Sequence, residues 1–418
     1  MALPPRTSSI PMSSMEIPPG TPAQIGRVEG DLRVGRKVEI RPEGPEGTVV
    51  TGTAFFAGDA RLLGPFECRA LEMRRGTLEA RDRLTVHEQL EAQDVELDVR
   101  GEFRGDRVEV GRRVTFRAAA TARRIEVGGA LVAAQALTAE EISVGGSLEA
   151  NGPMTVRRVA VGGRLRSGTV TLEELEVGGV AEIEGGTISK AISAGGVFAA
   201  RGALTFGSLD VGGKASVGPG STGGRIDVGG KLDALGDLTF LSIDVGGAGN
   251  VRGNGTGRSV DAGGGFMVEG DLRLEEDLEV GGVARIAKTL SARRVDVGGE
   301  LRAQVARISD RVEVGGEIGT QDGLKADRIG IGRKGRARGP LVGGRIEIGR
   351  KAEVEALFGA EVRVGESART GPIVADRVEI EAGATVHSVL YRTSLRSDPS
   401  VRFGEPPRQV ATLPNFPL

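Results

Sequence analysis

Side chains able to make or break bonds are few in this chain. His87 and His387 are its only imidazoles and Cys68 its only thiol among 418 residues. A nucleophile with its base, or a metal site, needs several such groups converging from different elements. The histidines lie near opposite ends of the sequence, and one cysteine gives neither a disulfide framework nor a multi-cysteine metal site. The sequence therefore predicts no catalytic, cofactor-binding or metal-ligating set, and no cofactor.

Other polar residues recur at regular spacing. Acidic ones stand at Glu126, Glu176, Asp210, Asp227, Asp244, Asp261, Glu279, Asp296, Glu313 and Glu347, often shortly after a base such as Arg124, Arg158, Arg225, Arg294, Arg311, Arg328 or Arg345. Such a rank could hold cations, but the plainer reading is a solvated face whose exposed pairs contribute at most about 1 kcal/mol each. The nine-residue calcium repeat of other β-helices is absent. A second rank is threonine: Thr121, Thr138, Thr155, Thr171, Thr205, Thr222, Thr239 and Thr256. Ice-binding lattices need two threonines per strand, and here there is one. Threonine is also a good exposed β residue, and the strip offers lateral contact between molecules.

The elements that carry these ranks follow from glycine. A Val-Gly-Gly triplet or close variant has its first glycine at Gly128, Gly145, Gly162, Gly178, Gly195, Gly212, Gly229, Gly246, Gly263, Gly281, Gly298 and Gly315, and variants extend to Gly111, Gly332, Gly349 and Gly365. Steps are 17 residues with a few of 16 or 18. That period means stacked repeats. Within one repeat, Ile125/Val127, Leu131/Ala133 and Leu137/Ala139 are apolar pairs spaced by two, which place both members on one face of a short strand. Three such strands make a three-sided coil, and stacked coils lie about 4.8 Å apart. The expected fold is all-β, a parallel β-helix of roughly 20 coils and on the order of 95 Å in length. The glycines are expected at its first corner, for positive φ and because a β-carbon would crowd neighbouring corners.

Four segments are expected. Residues 1–26, rich in Pro and Ser, read as disordered. Residues 27–107 read as irregular coils, with paired residues such as Phe66/Cys68 and Leu90/Ala92 and a corner insertion at Arg41–Gly47. Residues 108–390 form the regular helix, and 391–418 a Pro-containing tail, extended or disordered. A net charge of −2 with few aromatics argues against a nucleic-acid partner. No apolar leader segment or 18-residue apolar run occurs, so a cytoplasmic location is expected.

The segments IEVGGAL, IDVGGKL, VDVGGEL and VEVGGEI, with flanking proline-rich tails, resemble the bactofilins, polymer-forming cytoskeletal proteins. The resemblance covers 108–390 well and 27–107 loosely. It implies a right-handed triangular β-helix, nucleotide-free head-to-tail assembly into filaments, and frequent membrane association, although no membrane-binding motif is seen here. This chain has many more coils than is usual in that family. Exposed end strands and apolar layers argue for polymerisation independently, with Leu32, Val34, Val38, Ile40, Val378, Ile380, Val386 and Val389 as the expected polymer interface and a second copy as the partner. The alternative is a non-polymerising scaffold or surface-binding rod. A polysaccharide-active enzyme is less favoured, since short corners wall in no substrate.

Overall fold

The computed structural model describes residues 14–416; residues 1–13 and 417–418, parts of the two expected tails, lie outside it. The described residues form parallel strands without a helix. They make a parallel β-helix of about 23 turns with a repeat near 17 residues. The chain divides into two compact units, Met1–Gly195 and Gly196–Leu418.

In the first unit each coil has three strands, and every strand pairs in parallel with its equivalent one coil away. The first side descends through Met15/Ile17, Leu32/Val34, Ala54/Phe56, Leu71/Met73, Leu90/Ala92 and Val108/Val110 to Ile125/Val127. Alternation puts these pairs inward, and the aliphatic members from Leu32 onward are at most 3% exposed. Irregular and regular coils thus share one column, and the period falters only because corners lengthen. Ala23 pairs with Ile40, 17 residues on, whereas Ile40 pairs with Leu62, 22 residues on. The extra residues lie in the turn that follows the strand Val38–Pro42 and precedes Thr48. Inside the coil Phe103 stacks on Phe116, with ring centres 4.8 Å apart.

Residues 14–26 correct the expectation of disorder. Met15–Ile17 pairs with Leu32–Val34, and Ala23–Ile25 with Ile40–Pro42. Pro18, Pro19 and Gly20 fall at a corner between these strands, where a missing N–H breaks no ladder bond and Gly20 takes φ 73°. Ile17 and Ile25 meanwhile have apolar layers to join. The proline content that suggested disorder is corner chemistry.

In the second unit the first side runs from Leu209/Val211 through Ile226/Val228 and Ile243/Val245, then on to Val378/Ile380 and Leu395/Ser397. Large and small residues alternate between coils. A β-carbon on Gly223 would lie 2.2 Å from the Phe206 ring, one on Gly257 2.2 Å from Phe240, and one on Gly249 2.5 Å from Phe266. Each phenylalanine fills the space that a glycine in the adjoining coil leaves, which keeps the interior close-packed. The coils also continue past Tyr391. Leu395–Ser397 stacks on Val378–Ile380, Arg402–Phe403 on Thr385–Val386, and Arg408–Gln409 on Leu390–Tyr391. Much of the expected tail is therefore a last coil.

The corner glycines need their lack of side chain, though not for the first reason given above. Gly128, Gly145 and Gly162 do not have positive φ. Each corner instead sits directly on the one before: Gly145 N–H donates to Val127 O at 2.9 Å and Gly146 N–H to Gly129 O at 3.0 Å. A β-carbon on Gly145 or on Gly146 would lie 2.4 Å from the carbonyl oxygen of the equivalent glycine one coil earlier. Close backbone approach excludes the side chain. Positive φ belongs to other corners, at Lys37, Lys334, Lys351, Ser367 and Gly383.

Candidate functional site

The outer surface of the three-sided coil is set by register, so each outward position becomes a column. On the first side of the second unit, Asp210, Asp227, Asp244, Asp261, Glu279, Asp296 and Glu313 follow one another in consecutive coils. In the first unit Glu72, Glu91, Glu109 and Glu126 do the same. Some find an arginine two residues back on the same strand: Arg124 to Glu126 at 2.5 Å, Arg345 to Glu347 at 2.8 Å, and Arg311 to Glu313. The Arg345–Glu347 pair is exposed and the other two are partly exposed, so water screens them. Among the described residues, no three His, Cys, Asp or Glu side chains converge as a metal set would.

The residues singled out for chemistry are scattered by the fold. His87 is exposed in the first unit, its Nε2 2.8 Å from Glu67 Oε1. His387 is exposed in the second unit. Cys68 faces the interior, and burial pushes its thiol up to about 12, so it stays protonated and unreactive at neutral pH. One buried carboxylate does stand out. Asp233 forms ion pairs with Lys231 Nζ at 3.0 Å and Lys214 Nζ at 3.1 Å. Burial opposes its ionisation, but the two ammonium groups outweigh that and hold it below the ordinary aspartate range. Those lysines follow Gly230 and Gly213, and register stacks them one above the other. Asp233 neutralises a like-charge contact that the repeat creates.

The third side carries a column that changes character along the second unit. Thr205, Thr222, Thr239 and Thr256 occupy its outward position first. Arg273, Ser291, Arg307 and Lys325 come next, and then Val342, Phe358, Val374 and Leu390. Four apolar residues in a row on an outer β face call for a cover. The chain supplies one. After Gln409, Val410 N–H donates to Tyr391 O at 2.9 Å, and Phe416 reaches Phe358 with ring centres 5.9 Å apart. Val342 and Val374 are only 5% and 6% exposed although they point outward. Phe416 also borders a groove that continues over Ala326, Ile308, Ala292 and Leu274. Sequence reasoning missed this stripe. Its signal was present as adjacent apolar pairs, Leu341-Val342, Leu357-Phe358, Ile373-Val374 and Val389-Leu390, where the outward member should be polar.

The residues expected to form a polymer interface are not at the ends. Leu32, Val34, Val38, Ile40, Val378, Ile380, Val386 and Val389 are all buried. Met15–Ile17 covers Leu32–Val34, and Leu395–Ser397 covers Val378–Ile380. The expectation placed the ends one coil too far in, because it took the outermost coils for disordered tails. At the C-terminal coil the inward residues Leu395, Val401 and Phe403 are half-buried, while Val386 and Val389 one layer in are 0% and 1% exposed. At the other end Ile17, Ile25 and Val28 are 3–5% exposed. Among the described residues, Met15–Ile17 has a ladder partner on one side only. No helix among them is long and apolar enough to cross a membrane. Comparison with protein-family models, curated proteins and solved structures finds no match to this chain.

Proposed function

We propose that this chain is a structural protein, similar to the bactofilins, that assembles end to end through its terminal coils without a nucleotide. The observation that carries this reading is the half-buried apolar layer of Leu395, Val401 and Phe403 on a coil whose neighbour is sealed. A further coil from a second molecule would bury that layer and extend the ladder of Leu395–Ser397, as in β-strand addition. The reading assigns no catalytic role, in keeping with the scattering of His87, His387 and Cys68, and it places the assembly in the cytoplasm. Negative-stain imaging and sedimentation of the purified protein test it. Filaments that are lost with Leu395→Arg or Phe403→Arg support the reading. A protein that stays monomeric across salt and concentration overturns it.

A second reading, a non-polymerising scaffold, draws on the well-covered residues Ile17, Ile25 and Val28 at the other end. It expects the monomer in the same experiment, with Leu395→Arg causing no change of size.

A further inference from the structure

The apolar stripe on the third side is the feature that end-to-end stacking does not use. Its four residues, Val342, Phe358, Val374 and Leu390, are held in line by register, one per coil. A β-helix face of this kind is polar elsewhere in the same column, at Thr222, Thr239 and Thr256. The switch to Val-Phe-Val-Leu coincides with the segment that returns across it. That segment, Ala411–Phe416, forms no strand and has no ladder partner among the described residues, so its backbone adds nothing to the sheet. Its hold is the half-buried Leu413, the Phe416 ring on Phe358, and the anchoring pairs Arg408–Gln409 with Leu390–Tyr391.

We infer that the stripe is a docking site for the segment Ala411–Phe416, and that it accepts this segment from a second copy of the chain as well as from its own. The ligand is the chain's own sequence, so every copy carries both the segment and its receptor. A segment bound by side chains alone detaches without disturbing the coils beneath it. Once detached it uncovers Phe358 and the adjoining Val342, which the same segment of a neighbour fits, and this is the logic of exchange between identical protomers. The proline at Pro414 keeps the segment extended and prevents it from adding as a full strand.

Two full-length variants with complementary defects test this. Leu413→Ala with Phe416→Ala retains the stripe and loses the ligand; Phe358→Asp retains the ligand and loses the stripe. Each is made with a different affinity tag, and circular dichroism checks that both keep their β signal. Mixed together at about 50 µM, the two should co-purify at least ten-fold more than either variant does with a differently tagged copy of itself. Excess synthetic peptide of residues 408–416 should abolish that co-purification. Equal co-purification in all pairings, insensitive to the peptide, would report end-to-end contact alone and overturn the exchange while leaving the filament reading intact. No co-purification in the complementary mixture would also overturn it. Loss of filaments with Leu395→Arg leaves the complementary pairing unaffected, so the two readings fail separately.

Discussion

Two kinds of corner solve the same problem in different ways. At Gly145-Gly146 and its equivalents the backbone bends without positive φ and rests on the corner one coil earlier, with no room for a β-carbon. At Gly332–Gly335, Gly349–Ala352 and Gly365–Ala368 the chain makes a hydrogen-bonded turn. Gly335, Ala352 and Ala368 donate back to Gly332, Gly349 and Gly365, with Lys334, Lys351 and Ser367 at φ 57–61°. The first corner costs side-chain space and the second costs backbone strain, of order 1–2 kcal/mol for a non-glycine residue. Their surfaces differ too. Coils with Gly-Gly corners stack like charges, as in Asp227, Asp244 and Asp261, whereas with turn corners the same column alternates Glu347, Arg363, Glu379 and Arg396. Arg363 Nε lies 2.9 Å from Glu379 Oε2. What the glycine repeat enforces is strict superposition of the corners.

The largest effect is expected where superposition is closest. Gly146→Val drives a branched side chain into Gly129 O and should cost about 4 kcal/mol or more, at the upper end for single substitutions, read from denaturant unfolding. If Gly146→Val instead melts like the parent, the close-approach account of the repeat fails. At a turn corner, Lys334→Val places a β-branched residue at positive φ and should cost about 1–3 kcal/mol. Lys334→Gly should stay within about 1 kcal/mol of the parent, since relief of strain and greater freedom of the unfolded chain oppose each other.

Asp233→Asn sharpens the charge half of the comparison. It leaves Lys214 and Lys231 stacked without their shared carboxylate, and a loss of about 1–3 kcal/mol is expected, the scale of a charged hydrogen bond. The folded pKa of Asp233 is depressed below 3.8, so its contribution is present above that pH and disappears as pH falls through the folded value. Acid melts of parent and Asn variant should therefore start to approach each other as pH drops below 3.8 and converge only beneath the folded value. The smallest effect is expected on the open column, where Asp244→Arg turns Asp227-Asp244-Asp261 into alternating charge. It should stabilise by about 0.2–1 kcal/mol at low salt, and the gain should shrink in 1 M salt. A destabilisation there would mean that the acidic column is built for something other than solvation.

Much of the fold was legible because one period repeats. Pairs such as Ile125/Val127 and Leu131/Ala133 fix which side of each strand is inward, and the same pairing reaches Ile17 in the first unit and Phe403 in the second. The expected interface residues failed for a local reason. Pro18, Pro19 and Pro399 look like tail composition, yet they sit at corners, where proline is harmless. Positive φ was assigned to the wrong glycines because tightness alone does not separate a bend from a turn. The covered stripe escaped notice because Phe358 and Phe416 are far apart in sequence and no repeat links them.

The sequence by itself determined the coil, its period and the direction in which each side chain points, since these depend on residues two apart and on a glycine recurring every seventeen. Only the tertiary structure decided why the glycine is needed, where the stack stops and which outer columns are covered. Those depend on the distance between one coil's carbonyl and the next coil's Cα, and on a segment returning across the face, which are contacts between residues that no local pattern brings together.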